Sequence, residues 1–465
     1  MSSSLIIIII ASYFILLLII SLISGKNADN EAFFLGNRRS PWYIVAFGMI
    51  GTSLSGVTFI SVPGWVADSQ FSYFQMVLGY LLGYVVIANI LMPLYYRLNL
   101  TSIYTYLEKR FGFYSYKTGA SMFLISRIIG ASFRLYLVAK VLQMTLFDSW
   151  NVPFFVTVMV TIGLIWLYTN RGGIKTIIWT DTLQTMFLLS ALVITIIMIN
   201  KSFESGLFEM IARVRDTDHS RIWFFGNWRD EHYFFKHFFS GAFITIVMTG
   251  LDQDMMQKNL SCRNIRDAKK NMYLMSVLLV IVNLVFLFLG AVLILFANHN
   301  QIPIPAETDD FFPLIATGGY LPSIIGIFFI LGLIAAAYSS ADSALTALTT
   351  SFTVDILNSR HWNDEKLMRN RKMVHVGISI MLGTVIMIFD AISNDNVISA
   401  IFTVAGYTYG PLLGMYAFGL FTRRDIKDRW VPLIAVLSPI LSYILSYSSE
   451  QLLNGYRFGF ELLIV

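Results

Sequence analysis

Between Leu331 and Ile356 the chain reads LGLIAAAYSSADSALTALTTSFTVDI. On a helix this places Ala336, Ser339, Ser340 and Ser343 on one face at i, i+3, i+4 and i+7, with Asp342 beside them. Hydroxyls, backbone carbonyls and carboxylates are the hard oxygen donors that alkali and alkaline-earth cations take. The flanking residues are apolar enough to cross a bilayer, where a carboxylate costs about 3 kcal/mol on insertion scales and tends to mark an ion or solute path. The competing use of the same stripe is a small-residue packing seam whose hydroxyls bond back to their own helix. Two further groups need explaining at membrane depth. Arg127 and Arg134 lie seven residues apart, on one helical face, and a guanidinium that cannot shed its charge requires a carboxylate, a carbonyl cluster or an anionic solute. Asp181 and Gln184, in GGIKTIIWTDTLQ, supply either a partner for Arg127 or a cation ligand facing Asp342.

Other chemistries find no residues. Cys262 is the single cysteine, placed on a cytoplasmic loop, so there is no disulfide framework. The six histidines fall at His219, His232, His237, His299, His361 and His375, with no metal-ligand spacing. No nucleophile elbow and no phosphate-cradling glycine loop occurs. These patterns argue against an enzyme, a transition-metal site or an organic cofactor.

The elements that carry these residues are membrane helices. The chain has 465 residues, 56% hydrophobic and 13% charged, with a mean hydropathy of +0.67, too little polar surface for a soluble protein of this length. Leu5–Ser24 is long enough to span and lacks a basic start or a small-residue cleavage site, so it reads as a retained helix. Apolar runs recur near Trp42–Val66, Tyr73–Tyr95, Ala120–Phe147, Phe154–Tyr168, Ile174–Ile199, Phe238–Met256, Met272–Ala297, Leu321–Phe352, Val374–Ile392, Val397–Phe421 and Val431–Tyr447, giving twelve spans. Phe458–Val465 starts a thirteenth or lies against the bundle.

Lysine and arginine set the orientation. One set of connections carries Lys26, Arg38 and Arg39; Arg97, Lys109, Arg110 and Lys117; Arg171 and Lys175; Lys258, Arg263, Arg266, Lys269 and Lys270; Arg360, Lys366, Arg369, Arg371 and Lys372; and Arg423, Arg424, Lys427 and Arg429. The alternate connections near Ser69, Asp148, Glu307 and Asp395 carry none, and the exception is the long Lys201–Lys236 connection, which is mixed in sign with charges far from span ends. The basic side is cytoplasmic and the N-terminus outside, in a plasma or inner membrane. This bias accounts for the net charge of +5 without a nucleic-acid partner.

Two spans are interrupted. The second carries Gly51, Ser53, Ser55 and Gly56, then Pro63–Gly64; the seventh, five spans later, carries Thr249–Gly250, then Asp252, Gln253 and Asp254. Matched broken spans opening two halves of five point to an inverted-repeat transporter with its site at the breaks, where freed carbonyls and half-helix ends can replace the water around a cation. The acidic run Glu307, Asp309 and Asp310 before FFPLIAT reads as a solvated loop in preference to a short lid helix.

GGIKTIIWTDTLQ, then GLDQDMMQ with a basic loop containing AKK, then AAAYSSADSALTALTTSFTVDI and GPLLGMYAFGLFTRR resemble the sodium:solute symporter family in order and spacing, over nearly the whole chain. The resemblance implies an all-α, leucine-transporter-like fold of about 12–13 helices within one transporter domain. Its parts would be an extra first helix and loop (1–40), a first inverted repeat (41–200), an outer loop (201–237), a second repeat (238–422) and C-terminal helices (423–465), with a truncated C-terminus. It implies a sodium site built from the carbonyls of Gly51, Leu54 and Ala336 and the hydroxyls of Ser339 and Ser340. It also implies a second cation site at Asp181, Asp342 and Ser343, although a hydroxyl or small residue is commoner than an acid at the position of Asp342. The sugar-carrying branch is a poor match: its polar contacts read here as Val77, Thr245, Leu279 and Phe402, its aromatic gate as Met248, and the pocket looks too apolar for a sugar. GPLLG looks more like the branch carrying monocarboxylates, vitamins and iodide, with a pocket of Ser53, Ser55, Thr58, Gln75, Arg134, Thr245 and Tyr407.

The expected function is sodium-coupled import of a small organic solute, with a carboxylate-bearing anion as the candidate, by alternating access, by a monomer in contact with lipid. Each sodium ion falling through 100 mV supplies roughly 2.3 kcal/mol and about 1.4 kcal/mol is a tenfold gradient, so two ions sustain a gradient on the order of a thousandfold. A neutral-solute or sugar symporter, a transporter-like nutrient sensor, and proton coupling through Asp181 and Asp342 are the alternatives.

Overall fold

The structure is a computed structural model that describes residues 3–26, 28–204, 206–230, 232–392, 406–453 and 456. The expected positions Asp395, Phe402 and Phe458–Val465 lie outside the described residues. The elements are α1 (Ser3–Ser24), α2 (Trp42–Ser53), α3 (Gly56–Ser69), α4 (Tyr73–Val86), α5 (Phe113–Leu142), α6 (Phe154–Thr169), α7 (Ile174–Ser202), α8 (Phe234–Thr245), α9 (Gln253–Leu260), α10 (Ile265–His299), α11 (Ser323–Ser351), α12 (Asp364–Ile392), α13 (Tyr409–Phe421) and α14 (Val431–Leu452), joined by short helices and loops. Four π-helical turns extend these helices, at Ile87–Leu91, Gln143–Phe147, Ile246–Gly250 and Phe352–Ile356. Among the described residues seven helices are long and apolar enough to cross a membrane, and two bent pairs add one span each. Helices α1, α6 and α13 fall on the first, fifth and eleventh expected spans.

The stretch singled out by its oxygen stripe forms the centre of the bundle. Every residue of α11 from Phe329 to Ser351 is buried. Small side chains allow this enclosure, since each glycine, alanine or serine brings a neighbouring helix close without opening a void. A Cβ on Gly332 would lie 2.8 Å from Ala191 on α7 and 2.9 Å from the Phe59 ring on α3. The last helix, α14, has only 11% of its apolar window enclosed, against 83% for the window on α11.

Both interrupted spans are bent. The axes of α2 and α3 differ by 57° and those of the α8 span and α9 by 66°. The first break falls at Leu54, whose φ of −91° and ψ of 87° are not helical. Ser55 then caps α3 by accepting the Thr58 N–H at 3.4 Å. Pro63, expected to interrupt the span, lies inside α3, which continues through it. The second break falls at Leu251 and Asp252, and the Asp252 carboxylate caps α9 by accepting the Asp254 N–H at 2.8 Å.

The acidic run before FFPLIAT is exposed, as a solvated loop would be, and leads into a short helix that marks one end of the bundle, the lid end. Thr308–Asp310 makes one 3-10 turn and Phe311–Thr317 follows as an α-helix with Phe311 and Phe312 buried. Phe312 lies 5.4 Å from Phe59 and 4.8 Å from Phe329, centroid to centroid, so apolar burial overrides the acidic start. The opposite, basic end is tied shut around Asp355, which accepts Ser102 and Ser351 at 2.7 Å and Tyr116 at 2.9 Å. Two cations expected in loops there are interior: Lys258 is 1% and Arg371 2% exposed. Cys262, also expected in a loop, is buried.

Helices α4 and α8 meet through glycines. A Cβ on Gly79 would collide with the Phe238 carbonyl and one on Gly241 with the Met76 carbonyl, whereas one on Gly163 of α6 would meet nothing within 4 Å. Replacing a mid-helix glycine by alanine stabilises a helix by about 0.5–1 kcal/mol, but forcing atoms into a packed seam costs about 1–3 kcal/mol. Gly79→Ala is therefore expected to lower the thermal unfolding midpoint in detergent and Gly163→Ala to hold or raise it. Equal midpoints for the two variants would refute the seam.

Candidate functional site

The break in the first half leaves oxygens without donors. A continuous helix would give the Leu54 carbonyl the Thr58 N–H, but that donor is taken by Ser55 Oγ. Ser55 N–H does not reach Gly51. This end of α2 abuts the stripe on α11, with Thr52 Oγ1 3.2 Å from Ser339 Oγ. Ala336, Ser339 and Ser340 are all buried. Ser340 Oγ has no hydrogen-bond partner, which a buried hydroxyl rarely tolerates. A buried hydroxyl without a partner and carbonyls that have lost their regular helical donors are the kind of oxygens a desolvated sodium ion takes.

The second expected site is arranged otherwise. Asp181 on α7, 1% exposed, accepts Ser339 Oγ at 2.7 Å and Thr52 Oγ1 at 3.1 Å. Its Oδ2 lies 2.5 Å from Lys258 Nζ, and that ammonium also donates to Thr52 Oγ1. Lys258 arrives on α9 from the second half. The sequence reading placed it in a loop because a charge ends the apolar run. The signal that could have found it is its spacing, one turn beyond Asp254 on the same short helix. Asp342 accepts the Tyr168 hydroxyl at 2.8 Å and Ser343 Oγ at 3.2 Å. Asp181, Asp342 and Ser343 thus have partners from the protein itself, and the expectation that they jointly hold a cation meets a lysine already on Asp181.

Arg127 is not paired with Asp181. Its NH2 group donates to Asp254 and its NH1 lies 3.8 Å from Asp252. Tyr409 donates to Asp252 Oδ2 at 2.8 Å. At this second break the carbonyls are also answered, Gly250 by the Tyr95 hydroxyl at 2.8 Å and Leu251 by Tyr104 at 3.1 Å. The acids of GLDQD were legible as a break, and their role as the arginine's partners was not.

Above the breaks lies a cavity of about 200 Å³ lined by Ser53, Leu54, Ser55, Thr58, Arg134 and Thr245, with Tyr84 and Asn283 among the groups the sequence reading missed. A second cavity of about 540 Å³ reaches the lid end past Trp65, Ser72 and His237. The two share Thr58, Tyr73, Tyr80, Arg127, Arg134, Ile244 and Met248. Arg134 forms no ion pair with any described residue. The lining is more polar than expected, because tyrosines from α4 turn inward alongside the serines and threonines. Two expected solute contacts lie elsewhere. Gln75 is fully buried, donates to the His232 carbonyl at 2.9 Å and accepts the Phe224 N–H at 3.1 Å, so its amide holds the 201–236 connection down and does not line the cavity. Tyr407 is buried next to the undescribed segment and lines neither cavity. Of the sugar-branch positions, Val77 is buried away from the cavity, while Thr245, Leu279 and Met248 line it.

Residues 33–427 match the model of a family described as the sodium:solute symporter family. The chain is 27% identical over 432 residues to the human sodium/iodide cotransporter, covering 86% of this chain and 63% of that protein. It is 26% identical over 457 residues to the sodium/sialic acid symporter NanT of Aliivibrio fischeri, covering 93% and 85%. Among solved structures, the substrate-bound, outward-open state of a Na+-coupled sialic acid symporter superimposes with a TM-score of 0.82 at 22% identity, covering 99% of this chain and 94% of that one. The nucleobase-cation-symport-1 transporter Mhp1, in a closed conformation, does so with 0.59 at 13% identity, covering 92% and 91%. At these identities the likeness establishes the fold, the leucine-transporter-like one expected from the sequence. With 395 consecutive residues, 33–427, matching the family and the fold shared, the chain belongs to the sodium:solute symporter family of sodium-coupled membrane transporters and is not an enzyme.

Proposed function

We propose that the chain imports a small carboxylate-bearing solute together with sodium across the plasma or inner membrane, taking it up from the lid end, which the lysine and arginine distribution assigns to the outside. The observation that carries this is the contrast between two arginines on one helix face. Arg127 is held by Asp252 and Asp254, whereas Arg134 faces the cavity with no ion pair to a described residue. A solute carboxylate supplies the missing partner through two parallel hydrogen bonds, and the relief of an uncompensated guanidinium ties binding to site closure. The hydroxyls of Ser53, Ser55, Thr58, Tyr73, Tyr80 and Thr245 favour a carboxylate on a hydroxyl-bearing skeleton over a purely apolar acid. Iodide, sialic acid and monocarboxylates, named for several relatives, are all anions.

Sodium enters through the first site. With the Gly51 and Leu54 carbonyls of the broken span on one side and the Ala336 carbonyl and the Ser339 and Ser340 hydroxyls of α11 on the other, the ion bridges the two, and closing the solute cavity above it completes the cage. Ser340 has no other partner, so Ser340→Ala is expected to leave the fold intact and raise the sodium half-saturation of uptake more than tenfold, a loss of about 1.5–3 kcal/mol for a hydrogen-bonding group on a charge. An unchanged half-saturation in proteoliposomes removes Ser340 from the cage.

For the solute, Arg134→Lys keeps the charge but loses the planar fork. It is expected to weaken binding roughly ten- to a hundredfold, on the scale of a hydrogen bond to a charged group, and Arg134→Ala to abolish it. The test is competition among monocarboxylates, acidic sugars, neutral sugars and neutral amides against sodium-dependent uptake. Neutral compounds competing as well as acids, or wild-type affinity in Arg134→Ala, would sink the anion reading.

A further inference from the structure

We propose that Lys258 is a tethered cation standing in the second cation position, so that the chain couples one sodium ion to each solute. The inference rests on the symport reading above. The acid expected to hold the second cation is Asp181, which the hydroxyls of Ser339 on α11 and Thr52 on α2 orient by donating to its carboxylate at 2.7 Å and 3.1 Å. The position is filled by the Lys258 ammonium, 2.5 Å from Asp181 Oδ2 and bonded to Thr52 Oγ1. Asp181 and Lys258 are each 1% exposed, so no water screens a second positive charge brought beside the first.

The carboxylate has a single negative charge, which the ammonium neutralises. A sodium ion added there would have to displace Lys258, leaving an unpaired ammonium enclosed at 1% exposure, the costly arrangement for any buried charge. Asp342 does not enlarge the site, since its oxygens are engaged by Tyr168 and Ser343. Lys258 comes from α9, beyond the second break, while Thr52 ends α2 before the first, so the ammonium also links the broken spans of the two halves. Sodium remains at the first site, where the Ser340 hydroxyl is unpartnered.

The consequence is electrical. One sodium ion moving with one monovalent carboxylate transfers no net charge, whereas two sodium ions would transfer one.

The test begins with equilibrium binding of radioactive sodium to the purified protein, which needs no solute. Wild type is expected to bind one ion per chain. Lys258→Met, freeing Asp181, is expected to bind two and to show a sodium Hill coefficient rising from about one toward two. Should that variant misfold, Asp181→Asn combined with Lys258→Met removes both charges and is expected to fold and bind one. In proteoliposomes, an inside-negative potential should leave wild-type uptake of a monocarboxylate unchanged. Two sodium ions bound per wild-type chain would overturn the role of Lys258 and leave the symport reading standing. The same count in wild type and Lys258→Met would also overturn it. Absence of any sodium binding in wild type would overturn both.

Discussion

A charged carboxylate in the middle of an apolar bundle has to be answered by donors or cations, and Asp181 is answered from three separate regions of the chain at once. Ser339 on α11 and Thr52 on α2 donate hydroxyl hydrogens, and Lys258 on α9 brings a full positive charge. Removing one member of such a buried pair costs about 3–5 kcal/mol because the other is stranded. The geometry of the α2, α7, α9 and α11 junction is therefore held by electrostatics as much as by packing, and the cage proposed for sodium lies at its edge. In that proposal the ion's binding is coupled to any movement of α2 against α11, since Thr52 and Ser339 belong to the junction and their neighbours Gly51, Leu54 and Ser340 to the cage.

The two broken spans show how one backbone device serves two purposes. Around the second break, Tyr95 and Tyr104 donate to the Gly250 and Leu251 carbonyls, and Arg127 and Tyr409 hold Asp252. The carbonyls of that break are answered by protein hydroxyls, which makes it a fixed corner. At the first, Thr58 N–H turns back to Ser55 Oγ, and the carbonyls lose their regular donors. In a medium without water an unmade hydrogen bond is expensive, so the first break is the one at which a cation gains most. Both halves are broken, and the surrounding side chains set which break keeps carbonyls without donors.

The selectivity proposed for the solute rests on a similar division of labour. Arg127 and Arg134 lie on one face of α5, and neutralising both with protein carboxylates would leave nothing for a substrate to satisfy. Asp252 and Asp254 take the first, while the second is left among hydroxyls, where a partner can arrive and leave. The tyrosines of α4 add hydrogen-bonding capacity that the identities of single positions such as Val77 and Leu279 did not reveal.

Several features of the protein follow from the sequence by itself. Long apolar runs leave a chain no option but to bury its backbone polar groups in helices that cross a membrane; glycines, prolines and serines in two of those runs mark where the helices break, and the period of the α11 stripe puts Ala336, Ser339 and Ser340 on one face. These are local properties, fixed by hydropathy and helical spacing. The pairing of buried charges is not local. Asp181 reaches a lysine 77 residues away, and Arg127 reaches an acid 127 residues away; nothing in the spacing of either run distinguishes those partners from the others within reach of a similar depth. Lys258 read as a loop residue because its charge ends an apolar run, yet the 66° turn before α9 carries that helix into the interior, where an ammonium is stable only against a carboxylate. Gln75 shows the same limit in reverse: a polar residue on a membrane helix looks like a solute contact, and only packing reveals that its amide is spent on the backbone of a distant loop. Which polar groups remain free for sodium and solute is decided by what the tertiary structure has already satisfied.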